Sequence, residues 1–244
     1  MPAPTTLELL WGTPDRPRRG PKPSLTLERI VADAIEIADS EGLANLSMAR
    51  LAERVGCAKM ALYRYVPGRT ELTALMIDTA LGGPPEITAA QANSPQPWRA
   101  YLRPWAETFY ERVIVHPWSG ELTAGIRPMG PNELAWLDTA LSVLADTGLN
   151  FDEQFDSVAL LLGHARQVAQ QVAATASDDP AEEQLARELG TVLSAQAERF
   201  PYAIAALAAA VGAKPDPEAG NALTFGIDRI LDGLGALIET RREG

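Results

Sequence analysis

The chain has 244 residues, 46% of them hydrophobic, and a formal net charge of −11, enough apolar content for a small module and a larger one each to bury a core. A single cysteine, Cys57, excludes an intramolecular disulfide framework, and no apolar run reaches the ~18 residues of a membrane span, so a cytoplasmic protein with no membrane partner is expected. So acidic a chain is repelled by nucleic acid unless its few cations are gathered at the contact.

Residues 11–26 read WGTPDRPRRGPKPSLT, rich in Pro, Gly and the cations Arg16, Arg18, Arg19 and Lys22. Such a composition buries too little apolar surface to fold alone. It predicts a flexible basic arm over 1–24, either entering a minor groove or serving as a solubilising tail. No apolar stretch of about 7 to 15 residues follows the charges, which argues against a signal peptide.

A helix is predicted from Thr26 to Glu41, with Ile30, Ala34, Ile35, Ile37 and Ala38 on its apolar face. The stretch LSMARLAERVGCAKMALYRYVPGRTEL follows. Its apolar positions Leu46, Leu51, Ala52 and Val55 close at Gly56, a residue able to take the left-handed conformation that ends a helix. Ser47 is placed to cap that helix and to meet a phosphate. A second, short helix then starts near Ala58 and carries Lys59, Tyr63, Arg64 and Tyr65. From 46 to 70, Arg50, Arg54, Lys59, Arg64 and Arg69 stand against the single acid Glu53, a local net of +4. Periodicity, turn and charge together read as a helix-turn-helix whose second helix suits a DNA major groove. Cys57, in the turn, reads as a small filler ahead of a redox sensor.

On these motifs, LSMARLAERVG, ALYRYV and GRTEL, the chain resembles the tetracycline-repressor (TetR) family of one-component transcriptional regulators. The resemblance implies that Tyr63, Tyr65 and Arg69 contact the DNA backbone, while Lys59, Met60 and Ala61 face the bases. Lys59 is the expected base contact. Met60 and Ala61 offer only apolar contact, and Arg64 is either a base-edge reader or a phosphate ligand. The family usually has Lys where Arg69 stands and often Phe where Val66 stands; Arg holds a phosphate at least as well, and Val still fills a small core site.

A break at Gly82 to Pro97 divides a DNA-binding domain over 25–82, including a connecting fourth helix, from a domain over 97–244. The first 82 residues are charge-neutral, so the whole −11 lies beyond them. The pattern there is helical throughout, over Trp98 to Val115, Pro131 to Asp146, about Asp152 to Ala176, Ala181 to Arg199, Pro201 to Val211 and about Glu218 to Arg241. The expected fold is all-α, a three-helix DNA-binding domain followed by a larger helical ligand-binding and dimerisation domain.

Two stripes bear on assembly. One runs Leu223, Ile227, Ile230, Leu231, Leu234, Leu237 and Ile238; the other runs Phe155, Val158, Ala159, Leu162, Ala165, Ala169 and Val172. Both suit either the core of one chain or a helix bundle between two. RPMGPNELAWLDTALSVLADTGL, LLLGHARQVA and LTFGIDRILDGL are similar to the ligand-binding domain of the tetracycline-repressor branch. That similarity implies a homodimer through the long helix and the last one. In that branch a histidine shortly before an Arg-Pro pair holds a magnesium chelate. Here the pair is Arg127-Pro128 and Thr123 stands where the histidine aligns, so neither metal nor cofactor is expected.

The aromatic content of the second domain points to an apolar ligand cavity, with Trp105, Phe109, Trp136 and His164 as candidate effector contacts. Arg166 either pairs with an acid at a dimer interface or reaches into the pocket, and His116 either caps a helix end or touches ligand. The two histidines are too far apart for a local metal motif. With no nucleophile elbow, phosphate-cradling glycine loop or HExxH motif, an enzyme is not expected. The reading is a repressor that binds a palindromic double-stranded operator as a homodimer and is released by a small, largely apolar effector. The alternative is a helical ligand-binding protein with a degenerate DNA module.

Overall fold

A computed structural model describes residues 4–12, 25–122, 127–175, 190, 192–193, 196–212 and 221–243, and every regular element among them is helical. In chain order these are α1 (Thr6–Trp11), α2 (Leu27–Glu41), α3 (Met48–Val55), α4 (Lys59–Leu62), α5 (Arg69–Leu81), α6 (Ala89–Ala92), α7 (Pro97–Val115), α8 (Ser119–Leu122), α9 (Pro131–Leu144), α10 (Phe151–Thr175), α11 (Pro201–Gly212) and α12 (Ala222–Glu243). Short 3₁₀ turns cover Leu43–Asn45 and Ala145–Thr147. No described helix is long and apolar enough to cross a membrane. The predicted helix from Ala181 to Arg199 lies mostly outside the described residues.

Two cores organise the chain. The first gathers Ile30, Ala34 and Ile37 of α2, Leu51 and Val55 of α3, Leu62, Val66, and Leu72 and Met76 of α5. The second gathers Tyr101, Trp105 and Phe109 of α7, Trp136 and Ala140 of α9, Val158, Leu161 and Ala165 of α10, and Leu223, Ile227, Leu231 and Ile238 of α12. The predicted helices that lie among the described residues fall where apolar periodicity put them, while the break at 82–97, expected as a loop, holds the short α6. The α12 stripe, however, is spent mainly inside the chain. Leu223, Ile227, Leu231, Leu234 and Ile238 are buried in its own core, and α10 contributes Val158, Ala165 and Ala169 from the same side.

The beginning of the chain corrects an expectation. Residues read as part of a flexible arm form α1, whose Thr5 hydroxyl accepts the N–H of Glu8 while the Glu8 carboxylate accepts the N–H of Thr5. This reciprocal cap stabilises so short a helix, and burial of Leu10 against the first core supplies its tertiary anchor. The sequence reading was dominated by the Pro- and Arg-rich stretch just downstream. That stretch, with Arg16, Arg18, Arg19 and Lys22, lies outside the described residues.

The two cores are joined at three places. Trp118, between α7 and α8, is buried among the first core's residues, and its indole N–H donates to Asp39 of α2 at 2.6 Å. His116, next to it, bonds the same carboxylate through Nδ1 at 2.9 Å. Asp78 of α5 is buried and accepts the backbone N–H groups of Asn132 and Glu133 at 2.9 and 3.1 Å, so α5 caps the start of α9. Gly130 is required there, because a Cβ would stand 2.2 Å from the Asp78 carboxyl. Finally, the Trp11 indole of α1 donates to the Met129 carbonyl at 3.1 Å.

Candidate DNA interface and effector cavity

Ser47 caps α3, its hydroxyl accepting the Arg50 N–H at 3.1 Å. Gly56 ends α3 at φ 76°, the left-handed conformation expected of it. The following helix, α4, has only four residues, so Tyr63, Arg64 and Tyr65 sit on the turn that continues it. Leu62 and Val66 are fully buried and fasten this segment to the core, while Ala58, Lys59 and Met60 are exposed. Met60 is 75% exposed. Tyr63 lies under the Lys59 ammonium, 6.0 Å from the ring centre, and Tyr65 packs partly on the core. Cys57 is a half-buried free thiol against that core.

The structure sorts the cations that the sequence could only count. Arg50 binds Glu41 at 2.7 Å, and Arg54 pairs with Glu36 and, at 3.7 Å, with Asp33. The Arg50 guanidinium holds the Glu41 carboxyl below its ordinary range. The acidic face of α2 thus neutralises both arginines of α3, and the local net of +4 overstates the charge offered outward. Arg69 is committed as well, donating to the Leu46 and Leu43 carbonyls at 2.8 and 3.1 Å. It braces α5 against the entry to α3. Among the described cations of this segment, Lys59 and Arg64 carry no ion pair.

On the other side of α5 lies a cavity of about 420 Å³, within the usual range for a small-molecule site. Its walls come from five helices: Ile77 and Leu81 of α5, Phe109 and Val113 of α7, Ser119 of α8, Trp136 and Leu137 of α9, and Phe155, Val158 and Leu162 of α10, with Met129 on the loop before α9. Trp136 meets Phe109 edge-on at 5.8 Å, and its indole N–H donates to the Gly82 carbonyl at 2.9 Å. His116 also lines the cavity, so one residue touches both this space and Asp39.

Two of the four candidate effector residues, Phe109 and Trp136, line the cavity. The other two do not. Trp105 is fully buried behind Trp136, with ring centres 5.4 Å apart. His164 points toward α12, bonding the Ala222 and Leu223 carbonyls through Nε2 at 3.1 Å, and its ring lies against Gly226, which has no Cβ to displace it. Both belonged to an aromatic inventory that could not tell which side of a helix faces the cavity.

Of the polar lining, the sequence offered His116 and Arg166, each as one of two alternatives, and missed Arg112 and the Arg127–Glu133 pair. Arg127 forms a two-pronged pair with Glu133, one contact being 2.7 Å, and Arg112 and Arg166 also reach the cavity. Among the described residues no group of three or more His, Cys, Asp or Glu side chains converges. Thr123 lies outside them.

A two-core helical chain with an exposed recognition segment on one core and a cavity in the other defines a helix-turn-helix transcriptional regulator. Residues 92–238 match the family model described as the tetracyclin repressor-like C-terminal domain. The HTH-type transcriptional repressor DrrR1 of Streptomyces coeruleorubidus is 35% identical over 97% of this chain and 87% of its own length. The tetracycline repressor protein class C of Escherichia coli is 26% identical over 52% of this chain and 56% of its own length. Among solved structures, ActR of Streptomyces coelicolor in complex with actinorhodin superposes with a TM-score of 0.71 at 25% identity, covering 88% of this chain and 98% of that one. The chain belongs to the TetR family of transcriptional regulators, whose relatives found here carry the names of repressors and regulators, not enzymes.

Proposed function

We propose that this protein is a ligand-responsive repressor that binds a two-fold symmetric operator as a homodimer and is released by a small, largely apolar effector. The observation that carries the reading is α5, which packs into the first core beside the recognition segment, walls the cavity with Ile77 and Leu81, and holds α9 through Asp78. Its relative DrrR1 is named a repressor, and its structural neighbour ActR is described with a bound small molecule.

In this reading Lys59 makes the base contact, with Met60 and Ala61 against base methyls. Ser47, Tyr63, Arg64 and Tyr65 hold phosphates. Arg69 acts first as the brace described above. Phe109 and Trp136 contact the effector; Trp105 and His164 support the wall and the α10–α12 junction. Residues 25–82 act as the DNA-binding unit and 97–244 as the ligand unit, with Trp118 bridging them.

The homodimer rests on faces of α10 and α12 that are exposed among the described residues. Leu160 of α10 and Phe225 of α12 are 61% and 63% exposed, beside exposed Ala159, Gly163 and Gly233 that allow close helix approach. The apolar α11 exposes Tyr202 and Leu207. A two-fold dimer places two recognition segments about 34 Å apart, one turn of DNA. An effector preferring a differently spaced state by about 3 kcal/mol lowers operator affinity on the order of a hundredfold.

The test is binding of the purified protein to DNA flanking its own gene, at two salt concentrations and against random duplex. A tight, salt-sensitive complex that survives competition is expected. Binding equal to that of random duplex at every upstream fragment overturns the repressor reading in favour of a ligand-binding protein with a degenerate DNA module.

A further inference from the structure

Arg166 is a charged group of the cavity that the proposed function does not use. It projects from α10 into a space walled by Phe109, Val158 and Leu162, its guanidinium carbon 5.9 Å from the centre of the Phe109 ring. Among the described residues, Glu133 is the only carboxylate lining the cavity, and it closes on Arg127 with both oxygens. Among the described residues no acid forms an ion pair with Arg166. Burial, and then the neighbouring Arg127 charge, push the Arg166 guanidinium below its ordinary range, so the site strains against its own cation. A guanidinium still remains charged in protein surroundings. Arg112 adds a further positive charge to the lining. Among the described residues this apolar space therefore carries cations in excess of its acids, and the energetic remedy is an anion supplied with the ligand.

We infer that the effector is an anion, a ring-containing apolar body bearing one acidic oxygen group that docks on Arg166. The rings stack against Trp136 and Phe109, and the acidic oxygens take the planar guanidinium fork. This rests on the proposed ligand reading and narrows it: neutral apolar molecules of the same shape bind more weakly.

Two fluorescent probes sharing an N-phenylnaphthylamine frame separate the ideas. One, 8-anilinonaphthalene-1-sulfonate, carries a permanent anion; the other, N-phenyl-1-naphthylamine, is neutral. Titrated into the full-length protein, the sulfonate is expected to bind about tenfold more tightly than the neutral amine, at one site per chain, with 2-naphthoate displacing it better than decanoate. Arg166→Met is expected to weaken the sulfonate about tenfold and the neutral probe less than about threefold, and Arg166→Lys to restore most of the preference. Thermal melts check that each variant folds; if Arg166→Met does not, the wild-type probe ratio and the lysine variant decide. Equal binding of both probes to the wild-type protein overturns the inference and leaves the ligand reading intact, since the Arg166 charge is then met by a carboxylate elsewhere in the protein. A sulfonate preference that survives Arg166→Met also overturns it. Better displacement by decanoate removes the ring requirement, and no binding of either probe defeats the ligand reading itself.

Discussion

The recognition segment and the effector cavity treat their cations in opposite ways. At the DNA face, α2 lends Glu41, Glu36 and Asp33 to the arginines of α3, so that Lys59 and Arg64 are left outward and solvated. In the cavity, Glu133 satisfies Arg127 while Arg166 stays half-buried with no ion-pair partner among the described residues. The first arrangement costs little in water and offers charge to any phosphate. The second costs desolvation and waits for a particular counter-charge. Exposed charge gives reach, buried charge gives selectivity, and α5 is the element between them.

The largest expected effect comes from cutting that link. Asp78→Ala leaves the N–H groups of Asn132 and Glu133 without their acceptor at a buried helix start, and a loss of about 3 kcal/mol is expected by thermal or urea unfolding. Gly130→Ala attacks the same junction from the other side, forcing a Cβ against the Asp78 carboxyl, and is expected to match it. If both variants melt as the wild type does, α5 does not hold the cavity wall in the way described.

Next comes a pH effect confined to the cavity half. Burial raises the Tyr101 phenol to about 12 from its usual 10, and its hydroxyl donates to the Pro85 carbonyl at 2.8 Å. A raised value means that the folded chain keeps this proton after the unfolded chain has lost its own. The stability it represents is complete below pH 10 and is lost as pH rises from 10 toward 12, about 2 to 3 kcal/mol in all. Tyr101→Phe should flatten that part of the stability curve. An unchanged slope in the variant means that other groups set the alkaline limit.

At the DNA face the expected changes are smaller, about 1 to 2 kcal/mol each, and differ in kind. Arg64→Ala should weaken specific and random DNA alike and lower the salt slope by about one, whereas Lys59→Ala should mainly relax sequence preference. Arg69→Ala should act through stability, because its guanidinium is bound to the Leu43 and Leu46 carbonyls. Equal losses on specific and random duplex for Lys59→Ala count against its reading role.

These contrasts explain what the sequence disclosed. The helix-turn-helix was legible because its parts are contiguous: Ser47, Gly56, Leu62 and Tyr63 lie within 17 residues and obey local rules of capping, turning and helical period. The cavity was legible only as an apolar domain rich in aromatics. Which aromatic faces it depends on five helices from Ile77 to Arg166, so Phe109 and Trp136 were found while Trp105 and His164 were misplaced. The pairing of Arg50 with Glu41 or of Asp39 with His116 joins residues whose proximity no periodicity announces. The α12 stripe shows the same limit, since an apolar stripe does not say whether its partner lies in the same chain.

The smallest expected effect belongs to α1, and it tests whether the two regions share a third contact. Trp11 is 50% exposed, so its ring contributes little burial, and its indole N–H bond to the Met129 carbonyl is worth about 0.5 to 1 kcal/mol. Trp11→Phe keeps most of the ring and removes that bond. Because Met129 lines the cavity and Leu10 anchors α1 in the first core, the loss should appear in two places: a drop of a few degrees or less in Tm, and a change in the thermal protection given by the sulfonate probe. A variant that loses the stability but keeps the full protection would make α1 a brace for α5 alone. A variant that loses both makes the start of the chain part of the path from effector to DNA, which its composition, read as an unstructured arm, gave no reason to expect.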